Sequence, residues 1–188
     1  MKNIQITQWL TEFMKQLVRP GDLCIDATMG NGHDTLLLST LCGASGQVLA
    51  FDIQPEALAN TKKRLTEAHV PDNYRLILDS HVHMNHYAEP ESVSCIVFNL
   101  GYLPGGDHSM CTRADSSIAA LLQSLSLLKK GGMISLCIYS GGDTGFEERD
   151  LVLSWLAGLD SRRYLVIRSD YMNRPNHPPV PVLIIRLK

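Results

Sequence analysis

The chain has 188 residues and no apolar stretch approaching the roughly 18 residues that a membrane-spanning helix needs. Runs such as Leu36–Leu38 and Val182–Ile185 are far shorter, and no basic segment precedes an apolar core at the N-terminus. A soluble, cytoplasmic protein is expected. The five cysteines, Cys24, Cys42, Cys95, Cys111 and Cys137, are odd in number, widely spaced and never in a Cys-x-x-Cys pair. That excludes a disulfide framework and a cysteine-based metal site and predicts reduced packing residues. There is no Gly-Lys-Ser/Thr phosphate loop, so a nucleoside triphosphatase is excluded, and Ile138 stands where a nucleophile elbow around Ser140 needs glycine. Internal repeats and linkers are also missing. One domain over residues 1–188 is expected, with residues 1–20 packed on it as a helix.

Net charge is nearly absent, at −2, but it is unevenly placed. Residues 161–188 hold six of the 17 basic groups and one of the 19 acidic ones, a local +5 against −7 elsewhere. A nucleic-acid partner met on one side fits that split; so does a solvated Arg-rich hairpin. With 45% apolar and 19% charged residues, the composition is that of a globular domain rather than a disordered chain.

Hydrophobic spacing predicts alternating strands and helices. Ile6, Trp9, Leu10, Phe13, Met14 and Leu17 fall on one face of a helix over about 4–18, stopped by Pro20-Gly21. Strands are predicted at Leu23–Ala27, Gln47–Asp52, Tyr74–Leu78, Val93–Asn99, Met133–Tyr139, Tyr164–Asp170 and Val182–Leu187. Helices are predicted at about 33–42, from Pro55 through Arg64, and at about 114–129 and 145–157. The alternation implies an α/β fold with a mostly parallel seven-stranded sheet covered on both faces, binding its ligand at the carboxyl ends of the strands. No helix separates the last two strands, so they should form an antiparallel pair.

The first strand runs into Asp26-Ala-Thr-Met-Gly-Asn-Gly-His-Asp-Thr35. Gly30 and Gly32 permit a tight turn and close backbone approach to a ligand, and the following helix offers its N-terminal amides. A dinucleotide fingerprint wants a further Gly or Ala where Thr35 stands, which disfavours a nicotinamide cofactor. Asp52 ends the second strand, 20 positions beyond Gly32, where a carboxylate can grip two ribose hydroxyls. S-adenosylmethionine fits this set better than NAD; a purely structural turn is the remaining alternative. Asp79-Ser80-His81 at the third strand's end is the neighbour expected for an adenine.

Asn99-Leu-Gly-Tyr-Leu-Pro-Gly-Gly-Asp107 leaves the fourth strand beside that end of the sheet. The Asn99 amide oxygen and the Leu100 carbonyl can accept N–H bonds from an amino group and hold it in line with a methyl donor. An alkyl amine with a pKa of roughly 10 must first lose its proton, which Asp107 or Tyr139 can take or relay. The element is similar to the Asn-Pro-Pro-Tyr element of amino-directed methyltransferases, with Leu-Gly in place of the prolines and Tyr102 at the aromatic position. Asn99 as a strand cap and Asp107 as a turn residue are the structural alternatives.

Asp26–Thr35 together with Asn99–Asp107 resembles a bacterial family long labelled rRNA methylases and now recognised as tRNA wobble-uridine methyltransferases, over nearly the whole chain. The resemblance implies a class I methyltransferase (Rossmann-like) fold and S-adenosylmethionine as donor. It further implies conversion of 5-aminomethyl-(2-thio)uridine to its 5-methylaminomethyl form in the tRNA anticodon loop. It carries Asn31, Asp34, Asp52, Gln54, Ser80 and His81 over as cofactor positions, beside Asp26, Gly30, Gly32 and Thr35 of the loop. Asn99, Tyr102 and Asp107 face the substrate, and Tyr139 is the aromatic residue ending the fifth strand.

His81, His83, His86 and His108 lack the acidic or cysteine partners of a metal set, so no metal is expected. Arg162, Arg163, Arg168 and Arg174 are candidates to grip phosphates around a splayed loop, with Tyr102, Tyr139 or Tyr171 stacking the target base. Trp9 and Trp155 are expected in the core. A small enzyme without an RNA-binding module can also widen its basic surface as a homodimer.

Overall fold

The computed structural model describes residues 6–101, 114–140, 145–174 and 177–188. Helix α1 (Ile6–Leu17) leads to β1 (Leu23–Asp26), α2 (His33–Cys42), β2 (Gln47–Asp52), α3 (Pro55–Glu67) and β3 (Tyr74–Leu78). A 3-10 turn (His81–His86) precedes β4 (Val93–Leu100), α4 (Ala114–Leu127), β5 (Leu128–Ile138), α5 (Gly145–Ala157), β6 (Tyr164–Arg168) and β7 (Val180–Arg186). The strands form one sheet in the order β3-β2-β1-β4-β5-β7-β6. All neighbours pair parallel except β5 with β7 and β7 with β6. The expected α/β sheet with its antiparallel C-terminal pair is therefore the one observed.

Central strands are apolar throughout because both faces are covered. Cys24, Val48, Cys95, Val97, Met133 and Cys137 point to the side packed by Leu10, Met14 and Val18 of the first helical segment and by Leu38 and Cys42 of α2. Ile25, Leu49, Phe51, Ile96, Phe98, Ile134 and Leu136 alternate to the other side, against Leu121 of α4, Val152 and Leu156 of α5 and Met84 of the 3-10 turn. The four described cysteines are free and buried. No helix among the described residues is long and apolar enough to cross a membrane.

Three expectations need correction. Helix α4 ends at Leu127 and β5 starts at Leu128, because Lys129–Gly132 bulge out of the ladder between the Val93↔Leu128 and Cys95↔Met133 pairs. Gly131 takes φ 76° there, and Lys129 reaches back to Asp22 at 2.7 Å. Strand β7 starts at Val180, since Pro181 occupies the ladder's end, where the loss of one N–H donor is tolerated. Trp9 is 49% exposed on the outer side of α1, edge-on to Phe13, rather than in the core. Trp155 does pack against the core.

The sheet order reverses between β1 and β4, and the crevice this opens at their carboxyl ends is where the ligand site of such a sheet lies.

Candidate active site

Asp26, last in β1, is fully buried. Its Oδ1 accepts the Thr28 N–H at 3.2 Å and its Oδ2 the Thr35 hydroxyl at 2.6 Å. Burial, with the neighbouring charge of Asp34 adding to it, pushes its pKa up to about 7. Thr35 is equally buried. Both residues, expected at a cofactor, lie beneath the loop and shape it from inside; neither has surface left to touch a ligand.

The loop above them turns through Gly30 at φ 47° and Gly32 at φ 77°, a left-handed region that costs a side chain energy. At Gly32 a second reason applies: a Cβ would lie 2.8 Å from Thr61 Oγ1 and 2.9 Å from Thr61 Cα on α3. The loop is fastened to α3 at three points: Thr61 Oγ1 donates to the Gly30 carbonyl (3.0 Å), Arg64 Nε to the Asn31 carbonyl (2.5 Å) and Asn60 Nδ2 to Asn31 Oδ1 (3.1 Å). Asn31, expected to face the cofactor, thus spends its carbonyl and its amide oxygen on α3. Arg64 and Thr61 were legible only as helix residues, since their role depends on α3 lying against the loop.

Asp52, ending β2, accepts the Gly30 N–H at Oδ2 and the Gln54 N–H at Oδ1, each at 3.0 Å. The carboxylate expected to hold a ribose therefore also holds the glycine loop, and each oxygen keeps a lone pair for a hydroxyl. Gln54 is nearly buried at the start of α3, and Ile53 beside it is exposed, an apolar wall that sequence reading missed. Ser80 caps the 3-10 turn, its hydroxyl accepting the Val82 N–H. His81 lies under the loop, bonded to the Ala27 backbone and edge-on to Phe98 at 6.0 Å. Burial lowers its pKa, so the ring is neutral, and its buried Nε2 has no partner among the described residues. A carboxylate at a strand end beside an apolar wall forms a set that fits an adenosine moiety. His83 and His86 are exposed and stacked, with His83 bonded to Asp79. Among the described residues no group of three His, Cys, Asp or Glu is placed to hold a metal ion.

Asn99 stands near the end of β4, across the crevice from the loop. Its N–H donates to Thr28 Oγ1 and its Nδ2 to Asp34 Oδ2, both at 2.8 Å. Asp34, carried over as a cofactor position, is thus brought to Asn99 instead. The Leu100 carbonyl, expected as a second acceptor for an amine, receives the Tyr139 N–H at 2.9 Å, because the β4–β5 pairing runs to the end of both strands, and keeps one lone pair. Asn99 Oδ1 takes no hydrogen bond from a described residue. Gly101 is needed for fit: a Cβ there would come 3.2 Å from Tyr139 Cβ. Burial drives the Tyr139 phenol well above its usual pKa, with Cys137 beside it, so Tyr139 is a neutral hydroxyl and not a base. Tyr102, Asp107 and His108 lie outside the described residues.

The basic C-terminal segment is divided. β6 runs parallel to β5, since each pairs antiparallel with β7. Arg168, level with Leu136 through Val182, and the following Tyr171 and Arg174 lie toward the crevice end. Arg162 and Arg163 precede β6 at the opposite end, where Arg162 pairs with Asp160 and Arg163 lies over the Tyr164 ring. They lie at the other end of the sheet from Asn99.

Comparison with known proteins adds four findings. The family model described as "Putative rRNA methylase" matches residues 48–185. An Arabidopsis thaliana protein named tRNA (mnm(5)s(2)U34)-methyltransferase, chloroplastic, is 36% identical over 183 residues, 93% of this chain and 66% of its own length. Among solved structures, one from Clostridium thermocellum, described like the family model, superposes with a TM-score of 0.95 at 43% identity. A Streptococcus mutans methyltransferase in complex with SAH gives 0.88 at 34%; both superpositions cover all of each chain.

Proposed function

The chain belongs to the rRNA methylase family of Rossmann-like, S-adenosylmethionine-dependent methyltransferases, and we propose that it converts 5-aminomethyl-(2-thio)uridine to 5-methylaminomethyl-(2-thio)uridine at the wobble position of tRNA. The observation that carries the reading is Asn99, held at backbone and side chain by Thr28 and Asp34, with its amide oxygen left to accept from an amine. The plant relative, matched over 93% of this chain, is named for this wobble nucleotide. The family description favours a second reading, ribosomal RNA.

S-adenosylmethionine supplies an electrophilic methyl group on a sulfonium. Gly30, Gly32, Asp52, Gln54, Ser80 and His81 form its cradle, with the glycine loop allowing backbone approach and Asp52 accepting from the ribose. Asn99 Oδ1 accepts one N–H of the neutral amine and leaves the nitrogen lone pair aimed across the crevice, which turns attack into a positioned, near-unimolecular event. Tyr139, neutral, packs beside the amine rather than removing its proton; Asp107 is assigned that task. A single-stranded anticodon loop offers an already accessible nucleotide, so extrusion costs little. Arg168, Arg174 and Tyr171 meet the flanking RNA on the crevice side, and the 188-residue unit acts as one domain in the cytoplasm.

Nucleoside analysis of tRNA from cells lacking the protein tests this reading. Accumulation of the aminomethyl precursor is expected; normal wobble nucleosides with a methyl group missing from ribosomal RNA would establish the second reading instead.

A further inference from the structure

We infer that Asp34 is a positioning residue for methyl transfer, its carboxylate fixing the Asn99 carboxamide so that the amide oxygen, and not the NH2 group, faces the substrate amine. The inference rests on Asn99 being the amine acceptor. A carboxamide has two chemically opposite ends of nearly equal shape, and only its hydrogen bonds decide which end points where. Asp34, in the first turn of α2, can only accept when ionised, so the 2.8 Å contact with Nδ2 commits the donor end of Asn99 to it. A neutral hydroxyl at this position would accept either orientation. The reversed amide would set N–H donors against the N–H donors of the amine, and the site would lose its acceptor.

The surroundings sharpen the bond. Beside the pair lies a cavity of about 20 Å³, lined by Asp34, Asn99 and Ser135 together with Thr7, Leu10 and Met14 of α1. That is room for about one water. The Thr28 hydroxyl fixes the Asn99 backbone independently, leaving the carboxamide rotation as the freedom that Asp34 removes.

Asp34→Ala and Asp34→Asn decide the matter through turnover, SAH affinity and the Asn99 side-chain amide signals in 15N-labelled protein. For Asp34→Ala, kcat should fall about 100-fold, as for misplacement of a reacting group, while the SAH dissociation constant and the KM for tRNA stay within about threefold. The two Asn99 amide protons should shift toward solvent-like values. Asp34→Asn presents a donor as well as an acceptor to the Asn99 carboxamide, allows either orientation, and should regain less than about tenfold of the loss. An SAH affinity that drops in step with turnover would make Asp34 a cofactor ligand and overturn the inference. So would unchanged turnover, full rescue by Asp34→Asn, or Asn99 signals indifferent to Asp34→Ala. The amide signals need no substrate, so a wild-type protein inert toward aminomethyl tRNA would count against the functional reading while the role of Asp34 is still decided.

Discussion

Replacing Gly32 by alanine separates two costs that usually arrive together. Gly32 and Gly131 share nearly the same left-handed backbone, φ 77° and 76°, but a Cβ at Gly131 meets nothing within 4 Å, whereas at Gly32 it strikes Thr61, including its Cα at 2.9 Å. Gly131→Ala should therefore cost only the backbone term, about 1–2 kcal/mol. Gly32→Ala adds an overpacking term of about 1–3 kcal/mol, because a clash with backbone cannot be relieved by a rotamer change. At roughly 2–4 °C per kcal/mol for a chain of this size, Gly32→Ala should melt about 2–12 °C below Gly131→Ala. The displaced loop would also strain the Thr61–Gly30 and Arg64–Asn31 contacts and move the Gly30 N–H away from Asp52. SAH affinity should thus fall for Gly32→Ala and stay unchanged for Gly131→Ala, whose bulge lies at the far end of the sheet. Thermal melts and calorimetric titration with SAH on both variants measure this. Equal melting temperatures, or a normal SAH affinity in Gly32→Ala, would refute the account of the loop as packed against α3.

Further outcomes follow from the same geometry. Asp26 keeps its proton up to about pH 7 in the folded chain but loses it near 4 when unfolded, so it removes stability as pH rises across that window. The loss approaches ~4 kcal/mol at ~1.4 kcal/mol per unit, and Asp26→Asn should flatten the decline of melting temperature between pH 4 and 8; an unaltered slope would clear Asp26. Asp52→Ala removes the acceptor of two backbone N–H groups as well as the ribose partner, and should weaken SAH binding by at least about tenfold, at roughly 1.5–3 kcal/mol per charged hydrogen bond. An unchanged SAH affinity would contradict its place in the cradle. Arg168→Glu with Arg174→Glu should weaken tRNA binding and reduce its salt dependence, while Arg162→Glu with Arg163→Glu should do neither; the reverse pattern would place the RNA at the other end of the sheet.

Much of this arrangement was legible in the sequence, because local rules decide it. The 20-position gap from Gly32 to Asp52 spans one helix and one strand, so the acid had to arrive beside the glycine loop, and it bonds the Gly30 N–H. What was not legible depends on direction and on contacts between distant segments. Asp34 and Asn99 are 65 positions apart, and no spacing rule pairs them. The Leu100 carbonyl looked free until the β4–β5 ladder proved to run one residue further. Arg162 and Arg168 look alike in sequence, yet the direction of β6 sends them to opposite ends of the sheet. Trp9 sat on the apolar side by spacing, but α1 covers the sheet with Leu10 and Met14 and leaves the indole outside.

The central claim, an amine held by Asn99 for methylation, is tested most directly with purified protein, methyl-labelled S-adenosylmethionine and tRNA that does or does not carry the 5-aminomethyl group. The account predicts label in the wobble nucleoside of the aminomethyl tRNA alone, and its loss in Asn99→Ala with SAH affinity retained. Label on ribosomal RNA only, or undiminished transfer by Asn99→Ala, would contradict it.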